Sequence, residues 1–278
     1  MLSTLQKSGD VLDLFTVCHP EWGVTEVAQA QGLPKSSAHA LLSTLTEMGL
    51  LQRTGDNRYR LGWRVLVLAR VIAETSDLRE EGHRRMRQLV GRFGETTHLG
   101  ALDRGEVVYI LKLEGTNAVR IRVTGMGARL PAHCTSLGKV LLAARPVAEV
   151  ERILSEHSLK RYTPKTIHDE ATLFDELERV RTQGYAYDDE EALKDICCVA
   201  APVLDASRSI VVALSMSAPA FRFKANRAEY TEAIVKAAAE ISARVALGAA
   251  VPGAERAAHA AGNGNGNGKA RNARKTTI

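Results

Sequence analysis

The sequence is short of several things, and each shortage removes a class of protein. Of 278 residues only four are cysteine, at Cys18, Cys134, Cys197 and Cys198, and no C-x-x-C occurs. That spacing suits neither a zinc knuckle nor a disulfide framework. No window reaches 18 uninterrupted apolar residues, so no membrane span is expected. Met1–Asp10 lacks a basic run followed by an apolar stretch, so no secretory signal is expected. The folded regions also lack a charge excess. Residues 1–75 are net 0, residues 76–251 net +1, and residues 252–278 net +4 of the total +5. The basic pI of about 9.1 therefore says little about a nucleic-acid partner. These shortages describe a soluble, cytoplasmic protein with reduced thiols and no bound cofactor.

What is present is enough apolar material, 45% of residues, for a real core. The length suits one large domain or two ordinary ones. Near the N-terminus, apolar spacing predicts a helix over Gly9–Cys18 and a short second helix with Thr25 as N-cap. Pro34 opens a third helix running to about Met48, where Gly49 stops it. Leu50–Arg53 and Arg58–Leu61 flank a turn-rich tip and predict a hairpin.

On a helical wheel Ala38, Leu41, Leu42, Leu45 and Met48 form a core face. Ser36, Ala40 and Ser43 lie opposite, flanked by Ser37 and His39. Small side chains with hydrogen-bond donors at a helix N-terminus suit entry into a major groove. Lys35 and the first backbone amides can meet phosphate. Arg53, Arg58 and Arg60 on the hairpin fit a wing lying along the DNA backbone.

Trp63–Glu74 is a helix apolar on nearly all sides, which predicts burial between partners. Asp77–Phe93 follows as an Arg-rich helix. Strands are expected at Thr97–Leu102, Glu106–Leu113, Val119–Val123, Tyr185–Asp189, Ile196–Leu204 and Ser209–Ser217. Helices are expected at Ser136–Ala144, Val147–His157, Asp169–Gln183 and Ala225–Leu247. Residues 249–278, Asn/Gly-rich and then basic, predict a disordered tail. Its Lys269, Arg271, Arg274 and Lys275 form a candidate non-specific DNA tether.

"EVAQAQGLPKSSAHALLSTLTEMGLLQRTGDNRYRLG" resembles the winged helix-turn-helix of IclR-type transcriptional regulators. "LPAHCTSLGKVLLA", "TIHDEATLFDELERVRTQGYAYDDEE", "CCVAAPVLD" and "ALSMSAP" resemble that family's second domain in order and spacing. The resemblance implies an α+β chain in four parts. Residues 1–62 would be the winged helix-turn-helix and 63–93 the linker and dimerisation helices. Residues 94–248 would be a GAF-like effector-binding domain, and 249–278 the tail. It further implies a homodimer or tetramer that binds double-stranded operator DNA and a small organic acid.

The family places Ser136, Leu137, Asp188, Cys198, Ser215 and Ser217 around a ligand. The chain departs from the family's usual residues at Ala40 (commonly Arg), Asp195 (usually Gly) and Leu137 (often a smaller residue). Physical reading adds Gly138, whose N–H sits at a helix start suited to a carboxylate. Ile196 shares the strand face of Cys198 and would supply an apolar wall.

Two alternatives are weaker. Ser136-Leu137-Gly138-Lys139 is an S-x-x-K match to serine hydrolases, but the accompanying S-D-N and K-T-G are missing. His133, Cys134, Asp188, Cys197 and Cys198 offer metal-type ligands without a demanding spacing. The expectation is a regulator without enzymatic activity, without a metal and without a membrane partner.

Overall fold

The computed structural model describes residues 3–74, 77–117 and 124–249. The chain divides into two compact units between Ser76 and Asp77. The helices of the expected linker therefore belong one to each unit. Among the described residues no helix is long and apolar enough to cross a membrane.

The first unit holds α1 (Ser3–Asp13), α2 (Val24–Ala30), α3 (Lys35–Glu47), the hairpin β1 (Leu51–Arg53) and β2 (Tyr59–Leu61), and α4 (Trp63–Glu74). Val11, Val27, Leu42, Leu45, Leu51 and Tyr59 form its core. Each fully buried aliphatic side chain of that kind contributes about 1.5–3 kcal/mol.

Helix α1 ends earlier than its apolar spacing predicts. The Trp22 indole N–H donates to the Leu14 carbonyl (2.9 Å), and Thr16 and His19 bond each other's backbone. These contacts satisfy the chain without further helix. Helix α2 begins at Val24, not after Thr25, because Glu26 accepts the Gly23 N–H (2.8 Å) and so closes the first turn. Gly49 at φ +73° ends the α3 segment as expected. Met48, placed on the core face by the wheel, is 46% exposed, because the chain turns away there.

The second unit begins with α5 (Asp77–Phe93), β3 (Thr96–Asp103), β4 (Glu106–Leu113) and β5 (Arg129–Pro131). Then follow α6 (Ser136–Ala143), α7 (Val147–Glu156), α8 (Glu170–Gln183), β6 (Ala186–Asp189), β7 (Ile196–Leu204), β8 (Ile210–Pro219) and α9 (Ala220–Ala249). One antiparallel sheet runs β5-β4-β3-β8-β7-β6. Strand alternation sorts residues to two faces. Leu99, Val199, Leu214 and Met216 pack with α5 and α9 on one side. Ala200 and Ala213 pack with Leu137, Leu141, Leu173 and Leu177 of α6 and α8 on the other.

Strand β5 is an addition to the sequence reading. Helix α9 starts five residues before the expected Ala225 and breaks at Asn226 (φ −120°), whose side-chain amide donates to the Arg222 carbonyl. The expected strand Val119–Val123 and the tail beyond Ala249 lie outside the described residues.

Candidate functional sites

Helix α3 presents Lys35, Ser36, Ser37, His39 and Ala40 to solvent, with Ser43 half-buried at the edge of that face. The first backbone bond into the helix runs from Ala38 N–H to the Pro34 carbonyl (3.0 Å). The amides of Lys35, Ser36 and Ser37 therefore have no intrahelical acceptor and face outward with the macrodipole's positive end. That is a polar, low-charge surface with donors at its tip.

On the wing, Arg53 and Arg60 are exposed, Arg53 donating to Asn57 Oδ1 (2.7 Å). Arg58 differs from the expectation. Its guanidinium donates to both carboxylate oxygens of Glu26 (3.1 and 2.8 Å) and to the Glu21 carbonyl (3.0 Å). The hydrogen bond from Arg58 holds Glu26 low, after the larger effect of the Gly23 N–H. Arg58 is a brace here, since three of its five N–H donors go to α2 and the loop before it. A two-way backbone bridge between Trp22 and Tyr59 (2.9 and 2.8 Å) pins the wing beside that brace. The partner Glu26 lies 32 residues away, and no local pattern announces it.

In the second unit, a cavity of about 20 Å³ opens at the start of α6. Seven of the eight expected ligand residues line it: Ser136, Leu137, Asp188, Ile196, Cys198, Ser215 and Ser217. Gly138 does not. Its N–H is taken by Thr135 Oγ1 (3.1 Å), which caps α6. A Cβ on Gly138 would come within 2.1 Å of the Ala132 carbonyl oxygen, so glycine here lets α6 press against the preceding backbone. That approach puts Ser136 and Leu137, not Gly138, at the cavity.

Antiparallel pairing aligns Cys198 with Ser217 and with Asp188, and His98 with Ser215. Cys198 Sγ and Ser217 Oγ lie 3.1 Å apart. Asp188, 3% exposed, accepts the Glu191 N–H (2.7 Å) and the Ala192 N–H (3.3 Å) on one oxygen. Burial, with the neighbouring Glu191 charge, pushes its carboxyl up to about 7. Burial also pushes the Cys198 thiol well up, so it stays a neutral thiol.

The sequence reading missed Tyr109, Thr124, Leu130, Thr135, Ala192 and Leu193, which complete the walls. Behind them His98, 1% exposed, bonds Thr124 Oγ1 through Nε2 (3.0 Å) and meets the Tyr109 ring edge-on. Burial, aided by the Lys112 charge, lowers its pKa to about 3, so the imidazole is neutral.

Lys139 is 1% exposed and donates to Glu191 (2.6 Å) and Glu176 (3.0 Å). Burial opposes its charge, but the two carboxylates outweigh that and raise its pKa. A lysine held charged in this way is no base for Ser136, which removes the force of the S-x-x-K match. The metal-type set does not converge either. Cys197 belongs to the core on the opposite sheet face and meets Asp189 (3.2 Å), while His133 bonds the Lys160 carbonyl (3.1 Å). Asp189 and Glu190 beside Cys197 are answered by the ammonium groups of Lys165 and Lys224.

A winged helix-turn-helix followed by a helix-covered antiparallel sheet with a small internal cavity defines the class of DNA-binding transcriptional regulators. Residues 4–55 match the IclR helix-turn-helix domain, and residues 71–243 match the bacterial transcriptional regulator IclR C-terminal domain. The chain belongs to the IclR family. It is 36% identical over 218 residues to the HTH-type transcriptional regulator XynR of Escherichia coli K12, covering 78% of this chain and 86% of that one. The crystal structure of Thermotoga maritima IclR superposes with a TM-score of 0.64 at 31% identity, over 88% of this chain and 100% of that chain. An IclR homolog from Microbacterium hydrocarbonoxydans complexed with 4-hydroxybenzoate superposes with a TM-score of 0.73 at 28% identity, over 87% and 98%. These relatives are regulators and homologues, with no enzyme among them.

Proposed function

We propose that the protein binds a pseudo-palindromic operator as a homodimer or dimer of dimers, and that a small organic acid in the α6 cavity changes operator affinity. The observation that carries this reading is the set of side chains gathered around the cavity, which at about 20 Å³ has room for a water and must widen to admit an acid. Side chains distant in sequence bring hydroxyls, a thiol and a carboxyl to a helix N-terminus, with Leu137 and Ile196 as apolar walls. The relative that holds 4-hydroxybenzoate supports an organic acid as the ligand class.

Base contacts fall to Ser36, Ser37, His39 and Ser43. Phosphate contacts fall to Lys35, Arg53 and Arg60, with Arg58 bracing the wing. Pairing of subunits falls to α4. Its Trp63, Leu66, Val67 and Val71 are 54–71% exposed in the single chain, an apolar stripe that a second copy would cover. Effector and operator are then linked reciprocally through the arrangement of paired heads.

The test is a thermal-shift screen of small carboxylates on the wild type and on the Ser215→Ala/Ser217→Ala variant. The expected result is a rise in Tm for one class of acid in the wild type, lost in the variant. The same acid should change affinity for DNA from the protein's own promoter region. An equal shift in both proteins would sink the pocket assignment.

A further inference from the structure

The cavity poses an electrostatic problem that its shape alone does not reveal. Among the described residues no Lys, Arg or His lines it, and the one carboxyl that does, Asp188, is 3% exposed. An organic acid arrives as an anion. Two carboxylates in one desolvated space do not both keep their charge. The amides at the start of α6 offer a fraction of one positive charge, already shared with the rest of the helix.

Among the described residues the cation that acts on Asp188 is Lys139 on α6, and it is answered by Glu191 and by Glu176 of α8. The other described titratable groups around Asp188 carry no positive charge. They are the Cys198 thiol on β7, the Tyr109 phenol on β4 and the Cys134 thiol before α6. On β3, His98 is buried and neutral, bound to Thr124. The β8 residues facing the cavity are the neutral Ser215 and Ser217.

We propose that a carboxylate effector binds with Asp188 in its protonated form, so that above neutral pH each binding event takes up one proton from solvent. This rests on the effector-pocket reading given above. The ligand stays an anion, the proton comes from water, and the site keeps a charge of −1 instead of reaching −2. The carboxyl hydrogen of Asp188 then donates to the ligand, as a cation would in a conventional acid-binding site. Glu191 is the neighbouring acid; burial raises its carboxyl too, and Lys139 Nζ, 2.6 Å from its Oε1, opposes that rise and favours leaving the negative charge there.

Burial has already brought Asp188 to about 7 without a ligand, so the proton costs little near neutrality. A ligand anion raises it further. Below about pH 7 the carboxyl is protonated beforehand and affinity is flat. Above it, affinity falls by up to about tenfold per pH unit.

The experiment is titration calorimetry of the full chain with lactate, gluconate and 4-hydroxybenzoate, each in two buffers of different ionisation enthalpy. For any acid that binds, uptake should be close to one proton at pH 8.5 and close to zero at pH 5.5. Asp188→Asn keeps an acceptor for the Glu191 and Ala192 amides, and its uptake should vanish with Kd flat across that range. Binding at pH 8.5 without uptake by the wild type, a count that needs no variant, overturns the proposal and leaves the pocket reading intact. Uptake that survives Asp188→Asn overturns it too, by moving the proton to another group. If none of the three acids binds at any pH, the effector reading fails with it.

Discussion

Two ion pairs, one taken from each unit, teach opposite lessons. Arg58 and Glu26 meet at 2.8 Å with side chains 37% and 45% exposed. Lys139 meets Glu191 at 2.6 Å with side chains 1% and 9% exposed. The chemistry is the same. In the first case water screens the charges, and the pair sets a direction for the wing without adding much stability. In the second, water is gone, and neither charge can be left alone. The wing surface tolerates charge, and its identity lies in where each group points. The buried pair beside α6 tolerates no unanswered charge, and its identity lies in how each group is answered.

The sharpest way to break this comparison is to remove the buried cation. Lys139→Ala leaves Glu191 and Glu176 facing each other and should cost about 3–5 kcal/mol. Denaturant unfolding of the second unit measures it, and a loss under 1 kcal/mol would place the two pairs in one class.

A smaller effect should come from the loop that walls the cavity. Asp195 sits at φ +63°, a backbone region that favours glycine, and the family usually has Gly there. Its N–H and C=O bond Glu190 and Ala220, contacts that a glycine keeps. Asp195→Gly should therefore stabilise the protein by about 1 kcal/mol, read as a higher Tm.

The smallest stability effect belongs to the exposed pair. Glu26→Gln should leave Tm almost unmoved while amide exchange at Arg58 and Tyr59 quickens and operator affinity falls a few-fold. Unchanged exchange and affinity would show that the brace does not orient the wing.

Helix α3 was legible because a 3.6-residue period over 13 residues marks both its faces, from Ala38–Leu45 inward to Ser36 and His39 outward. Ser215 and Ser217 were legible by simple alternation, and Asp188, Cys198 and Ile196 by strand position and resemblance. Tyr109 and Leu130 were not. They reach the cavity because β4 and β5 lie at one side of β3, and strand order is a non-local property that no window of sequence carries. Arg58 was legible as a cation and misread as a free one, since its partner is fixed by the docking of α2 against the hairpin. Gly138 was misplaced for a related reason. Thr135 caps the helix with its own side chain, and the orphan amide expected at that position is already spoken for.

Strand β8 has a consequence for ancestry. Leu214, Met216 and Ala218 look into one core, while Ala213, Ser215 and Ser217 look towards the other side. The two sets interleave along the same ten residues. An insertion or deletion here exchanges every inward residue for its neighbour and ruins both sides at once. A point change at Ser215 or Ser217 alters the cavity wall and leaves the packing under α9 untouched. Lineages built on this strand are thus free to recast the cavity by substitution while their length stays frozen.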